Sequence, residues 1–234
     1  MQQQSWKTEY LDGLKTIAPI IVAAMPIALV FGAVAATKGL SPLEATLMSA
    51  FVFAGGSQFV AMDIWTHPAS WSALAFAALL VNLRHVLMGA SLGPKMQRFS
   101  TWQKYLALLV MADENWAMAE VRATRTMLTP AFYAGLAIIF YANWVAFSLL
   151  GALMGAFLGD PALVGLDFAF PALFIVLVVG FWKGPATGMV LLASACASVV
   201  VHHYVAGAWY IAAGAAAGLA AALLNGRLAT AVAR

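Results

Sequence analysis

Charge is scarce in this sequence. Asp, Glu, Lys and Arg make up 9% of the 234 residues, against about a quarter of an ordinary soluble domain. With 64% hydrophobic residues, that scarcity excludes a water-soluble globular domain. Cysteine is reduced to Cys196, which excludes an intrachain disulfide and any cysteine-rich metal site. The net charge is only +3, and no basic stripe alternates with aromatics, so no nucleic-acid partner is expected. The sequence also lacks H-E-x-x-H, a P-loop and a G-x-S-x-G elbow. No Ser/His or paired-Asp constellation replaces them. An enzyme, a cofactor and a bound metal are therefore not expected; His202-His203 stand without nearby cysteines or carboxylates.

What is present is a series of uncharged runs, at 16–37, 45–62, 64–83, 126–159, 168–182 and 184–226. A bilayer-spanning helix needs roughly 20 mostly apolar residues, so the chain has room for about seven spans. Barrels need short segments of alternating polarity and do not fit. Thr16–Thr37 is too long for the core of a signal peptide and reads as the first membrane helix. The expected fold is all-α: a polytopic protein of about seven transmembrane helices forming one integral membrane domain over 1–234. Helices are expected at 16–37, 43–62, 68–92, 131–158, 166–182, 186–203 and 205–226, with Gly- and Pro-containing turns between them. The stretch 93–130 reads as a linker that does not cross. Basic residues favour cytoplasmic loops. Seven crossings with the N-terminus outside place nine Lys and Arg inside and only Lys7 and Lys15 outside. They are preferred to eight crossings, with 102–122 spanning and the N-terminus inside, which give seven against four.

Gly39-Leu40-Ser41-Pro42 followed by FVFAGG echoes Gly159-Asp160-Pro161 followed by DFAFPA. This suggests two inverted three-helix repeats, 16–92 and 131–203, each with an interrupted helix, plus a final helix at 205–226. Inverted repeats with broken helices are a recurrent transporter design.

Several polar residues sit inside these apolar runs. Gly55-Gly56-Ser57-Gln58 lies roughly 20 Å along a helix begun at Pro42. Adjacent glycines weaken the helix there and let freed backbone groups face a ligand. Pro171, after Phe170, breaks the helix at 166–182 at a matching depth. Asn82 and His85 share one face of the helix at 68–92 and favour a polar interior. Arg84 lies in the cytoplasmic third, where it can gate or snorkel. Asp113 and Glu114 form the acidic cluster on the inner side, which reads either as a solvated loop or, more sharply, as part of an inner gate in which one acid pairs with Arg84. Asp167 reads equally as a helix N-terminal acid and as a coupling group. The expected substrate-binding residues are thus Gly55, Gly56, Ser57, Gln58, Asn82, His85, Phe170 and Pro171. Gating or ion coupling is expected of Arg84, His85, Asp113, Glu114 and Asp167.

FAGGSQFVAM at 53–62, NLRHVLMGASLGP at 82–94, DEN at 113–115 and LDFAFPALFIVLVV at 166–179 resemble the AzlC family, the large subunits of bacterial branched-chain amino-acid exporters. The resemblance implies export of valine, leucine or isoleucine across the bacterial cytoplasmic (inner) membrane. It also implies a small AzlD-like membrane partner subunit. Without an ATP-binding motif, the expected energy source is an ion gradient. A passive channel and a non-transporting membrane scaffold are the alternatives. Scattered polar positions fit a channel poorly, and a scaffold leaves Gln58, Asn82 and His85 without a purpose.

Overall fold

The computed structural model describes residues 5–158, 184–205 and 207–232, together with the isolated positions 168, 175, 178, 179 and 182. Nine α-helices occur among the described residues: α1 (Trp6–Thr37), α2 (Pro42–Phe51), α3 (Gly55–Asp63), α4 (Trp71–Leu92), α5 (Thr101–Leu109), α6 (Asp113–Arg125), α7 (Pro130–Leu158), α8 (Pro185–Tyr204) and α9 (Trp209–Val232). Four of them, α1, α4 with the 3-10 turn after it, α7 and α8, are long and apolar enough to cross a membrane. The protein is an all-α polytopic membrane protein. Of the helix expected at 166–182 only those isolated positions are described, and Asp167, Phe170 and Pro171 lie outside the described residues.

The chain divides into two compact units. The first contains residues 1–63 and 82–169, and its frame is the pair α1 and α7. Glycines let these two backbones touch. A Cβ on Gly13 would collide with the Phe132 carbonyl oxygen, and one on Gly135 with that of Tyr10. Further along, Gly32 meets the Ser148 carbonyl and Gly151 that of Leu29. Small residues that bring backbones together are the usual basis of helix association in lipid. The pairs ascend together in both helices, so α1 and α7 run parallel. We call the end where α1 and α7 begin proximal and the other distal.

Helix α2 leaves the distal end through a capping box: Ser41 Oγ accepts from the Glu44 N–H, and the Glu44 carboxylate accepts from the Ser41 N–H. It runs back along α7. Ser49 Oγ donates to Ser148 Oγ (2.8 Å), Tyr141 Oη donates to the Ala50 carbonyl (2.9 Å), and Phe53 packs edge-on against Phe140 and Tyr141. After the break at 52–54 the chain reverses. Phe59 of α3 returns to Phe31 (5.8 Å between rings), beside Gly32 and hence at the level of Ser148. The run 43–62 is therefore a re-entrant pair of half-helices rather than one crossing.

The second half of α4 heads for the proximal end. Met88, Leu92, Met96 and Phe99 join Ile17, Ile21, Phe132 and Leu136 in the core there. From Ser100, whose side chain caps α5, the stretch 93–130 dips inward and comes back. Tyr133 Oη donates to the Ala107 carbonyl (2.9 Å) and reaches Asn115 Oδ1 (3.3 Å). Residues eight apart in one straight helix would lie about 12 Å apart. At the far end of α6, Arg122 returns to Glu9 at the start of α1. The stretch 93–130 is thus two half-helices entering from the proximal end, complementary to α2 and α3 from the distal end. Because 43–62 doubles back, α1 and α7 share a direction, whereas inverted three-helix halves would oppose their first helices.

The second unit contains residues 64–81 and 170–234. Within it α8 and α9 form an antiparallel hairpin. Ser198 Oγ donates to the Tyr210 carbonyl (3.0 Å), and His202 stands edge-on to Tyr210 (5.2 Å). Phe76 from the first half of α4 packs on Trp209 (4.8 Å).

Candidate functional site

Each broken helix is stitched across its break by a buried carboxamide, and each carboxamide is held by an aromatic donor from α7. Gln58, fully buried, donates through Nε2 to Ser49 Oγ (3.0 Å) and accepts through Oε1 from Trp144 Nε1 (2.9 Å). Asn115, also fully buried, accepts from the Ala112 N–H (2.9 Å), donates to the Val110 carbonyl (2.8 Å) and meets Tyr133 Oη. In a membrane such groups need internal partners, and freed backbone groups at the breaks find some of theirs here. The sequence singles out Gln58 but not Asn115. Standing beside two acids in a polar segment, Asn115 resembles a solvated loop residue. The one available signal is its place three residues past Ala112, the position from which a side chain reaches back to the cap N–H.

Gly55 is where the break needs glycine. A Cβ there would meet the Trp144 ring at 2.9 Å. Gly55, Gly56 and Ser57 form the first turn of α3, whose leading N–H groups have no partner within the helix and carry the positive end of its dipole.

Helix α4 reaches both breaks. Asn82 Nδ2 approaches Ser57 Oγ (3.4 Å), while its Oδ1 is buried without a hydrogen bond. Two residues on, Arg84 pairs with Asp113 (2.5 Å) at the start of α6. Of the two acids, Asp113 is the one that meets the arginine. His85 Nδ1 is buried and unpaired. The pairing between α4 and α6 continues toward the proximal end. Trp116 Nε1 donates to Ser91 Oγ (3.0 Å), Ser91 Oγ lies 2.9 Å from Glu120, and Lys95 closes on Glu120. These contacts fall at 113, 116 and 120, one face of α6. They are made by side chains; the two backbones do not approach as those of α1 and α7 do.

Glu114 is partly buried. Desolvation pushes its carboxyl above the ordinary range, assisted by Asp113 and opposed by its own backbone N–H and by Arg84. Helix α6 has 13 residues and cannot span by itself.

The structure thus brings together Gly55, Gly56, Ser57, Gln58 and Asn82 at one break, and Arg84, Asp113 and Glu114 at the other. Among the described residues no cluster of three or more metal-ligating side chains occurs. A site missed entirely by the sequence reading lies at the proximal end. Glu9, 7% exposed, accepts from Arg122 (2.9 and 3.1 Å) and Thr129 (2.8 Å), and Arg122 lies 4.6 Å over the Phe132 ring.

Residues 19–158, which hold both broken helices, match the family described as AzlC protein. The chain belongs to the AzlC family. It is 31% identical to the inner membrane protein YgaZ of Escherichia coli K12, over 74% of each chain. It is likewise 31% identical to an uncharacterized membrane protein of Archaeoglobus fulgidus, over 79% of this chain and 81% of that one. A third relative, the branched-chain amino acid transport protein AzlC of Bacillus subtilis, is 30% identical over 70% of this chain and 64% of its own length. No solved structure matches the chain.

Proposed function

We propose that this AzlC-family protein is the large subunit of a secondary transporter that exports branched-chain or similar small apolar amino acids. One observation supports the reading above others. Two half-helix pairs enter from opposite ends, one breaking beside Phe140 and Tyr141 and the other held by Tyr133, and α4 serves both breaks through Asn82 and Arg84. A zwitterionic substrate needs donors for its carboxylate and acceptors for its ammonium. The first turn of α3, from Gly55 to Ser57, supplies the donors, and the unpaired Asn82 Oδ1 supplies an acceptor. Gln58 is already engaged on both sides, so in this reading it holds the break in shape and does not grip the substrate.

Arg84 and Asp113 act in the same reading as the gate on the proximal side. The coupling ion is a proton, carried by Glu114 or His85. Asp167, Phe170 and Pro171 remain candidates from the sequence. The B. subtilis relative's name specifies branched-chain amino acid transport, and it supports the substrate class proposed here. A small AzlD-like subunit completes the transporter. The protein works as a transporter, not an enzyme.

The test is uptake of labelled valine into vesicles containing this chain, with and without the small subunit, under an imposed pH gradient. Concentrative movement driven by the gradient is expected. Downhill flux indifferent to the gradient would make the protein a channel, and no flux with either composition would make it a scaffold.

A further inference from the structure

The first unit carries its charge very unevenly. Lys7 and Lys15 of α1, Arg98 before α5, Lys104 in α5 and Arg125 at the end of α6 all belong to its proximal part, and the described structure gives none of them an acidic partner. Lys95 and Arg122 lie there too, neutralised by Glu120 and Glu9, and Asp12 of α1 is the one further acid at that end among the described residues. At the distal end the described residues of this unit offer one base, Lys38, against the acids Glu44 and Asp63. Lys7, Lys15, Arg98 and Arg125 are exposed. Trp6, Trp102 and Tyr105 are exposed beside them, at 64%, 69% and 64%. Indoles and phenols of this kind, flanking the ends of long apolar helices, mark the depth of lipid headgroups.

We propose that the proximal end is the cytoplasmic face of the protein, with its unpaired lysines and arginines seated on anionic phospholipid headgroups and the start of α1 inside the cell. Basic residues near membrane helices are retained on the cytoplasmic side, and that leaflet carries the negative surface potential that attracts them. This orientation reverses the one expected from the sequence, for a structural reason. Counting 43–62 as a crossing puts the start of α1 opposite the 93–130 stretch. Because 43–62 doubles back, Lys7 and Lys15 come to the side of Arg98 and Lys104, and Lys38 goes to the other. Residues after α4 keep the side they had. The Arg84–Asp113 pair is therefore still approached from the cytoplasm, and α2 and α3 enter from outside.

Orientation and lipid contact hold whatever the protein transports, and neither labelling nor unfolding reads transport. In a Cys196→Ser background, Gln97→Cys and Leu43→Cys are made separately, and intact cells are treated with a membrane-impermeant maleimide. Position 43 is expected to label in intact cells and position 97 only after permeabilisation. The opposite pattern overturns the orientation. For the lipid seat, the full chain is reconstituted in phosphatidylcholine vesicles with and without phosphatidylglycerol. The anionic lipid is expected to raise the unfolding temperature of the natural protein clearly, and that of a Lys7→Gln, Arg98→Gln, Arg125→Gln variant much less. High salt should erase the difference. An equal rise in both proteins, or none in either, overturns the lipid seat. If the triple variant fails to fold, the salt response of the natural protein decides the same point.

Discussion

The reversal at 52–54 can be measured through the residues on either side of it. Ser49 and Gln58 are nine positions apart, which in one straight helix would set them about 13.5 Å apart along the axis; here their side chains meet at 3.0 Å. A double-mutant cycle of Ser49→Ala, Gln58→Leu and the pair separates the two geometries. Ser49→Ala leaves the Gln58 amide and Ser148 Oγ each short of a buried partner. Gln58→Leu orphans the Trp144 indole N–H. Each single change should cost about 1–3 kcal/mol, the desolvation penalty of an unsatisfied buried group. The double variant no longer carries the mismatch between the two, so its cost should fall short of the sum. For polar pairs in membrane proteins such coupling averages about 0.6 and reaches about 1.7 kcal/mol. The upper half of that range is expected, since Gln58 is fully buried. Reversible unfolding in mixed micelles gives the four stabilities. Additivity within about 0.5 kcal/mol would refute the re-entrant geometry, because residues on a straight helix cannot couple over that distance.

Three further outcomes follow from other contacts. Gly151→Ala places a methyl group against the Leu29 backbone and should destabilise by about 1–3 kcal/mol, whereas Gly93→Ala, with open space around it, should not reduce stability by packing; unfolding temperatures in detergent compare them. Glu114 binds its proton more tightly folded than unfolded, so its contribution favours the folded state least once pH has risen through its elevated pKa. Glu114→Gln should therefore gain stability over the natural protein at alkaline pH and match it in acid, as thermal melts across pH will show; a gain confined to acid would reverse the sign and sink the assignment. Separate Arg84→Gln and Asp113→Asn changes should each lower valine uptake, and exchanging the two residues should restore part of it. No recovery on exchange would mean that the pair does more than hold α6 to α4.

The apolar frame was readable from composition and run length alone, because lipid tolerates so little else. The weak point at Gly55-Gly56 was readable too, since close packing accounts for two glycines in such a run but not for the glutamine beside them. The direction of the chain beyond that point was not. Depth counted at 1.5 Å per residue assumes that a helix continues, and the contact that refutes continuation, Gln58 on Ser49, joins residues that no helical periodicity pairs. In 93–130 the sequence shows an apolar piece too short to span, interrupted by acids. That explains why it does not cross, but not that it dips inward, which rests on Asn115 and Tyr133. Glu9 escaped notice for a similar reason. An acid near the start of a helix is ordinarily solvated, and its burial depends on Arg122, more than a hundred residues away.

The two opposed half-helix pairs also bear on how membrane voltage would act. Where water reaches inward to both breaks, the insulating layer narrows from the full hydrocarbon thickness to the short stretch between them. Most of the potential then falls across that stretch. Moving one elementary charge through the whole potential changes the energy by about 2.3 kcal/mol per 100 mV. A displacement of Arg84 by only a few ångströms would then draw on a large share of that amount, and a modest motion at the Arg84–Asp113 contact would become sensitive to voltage.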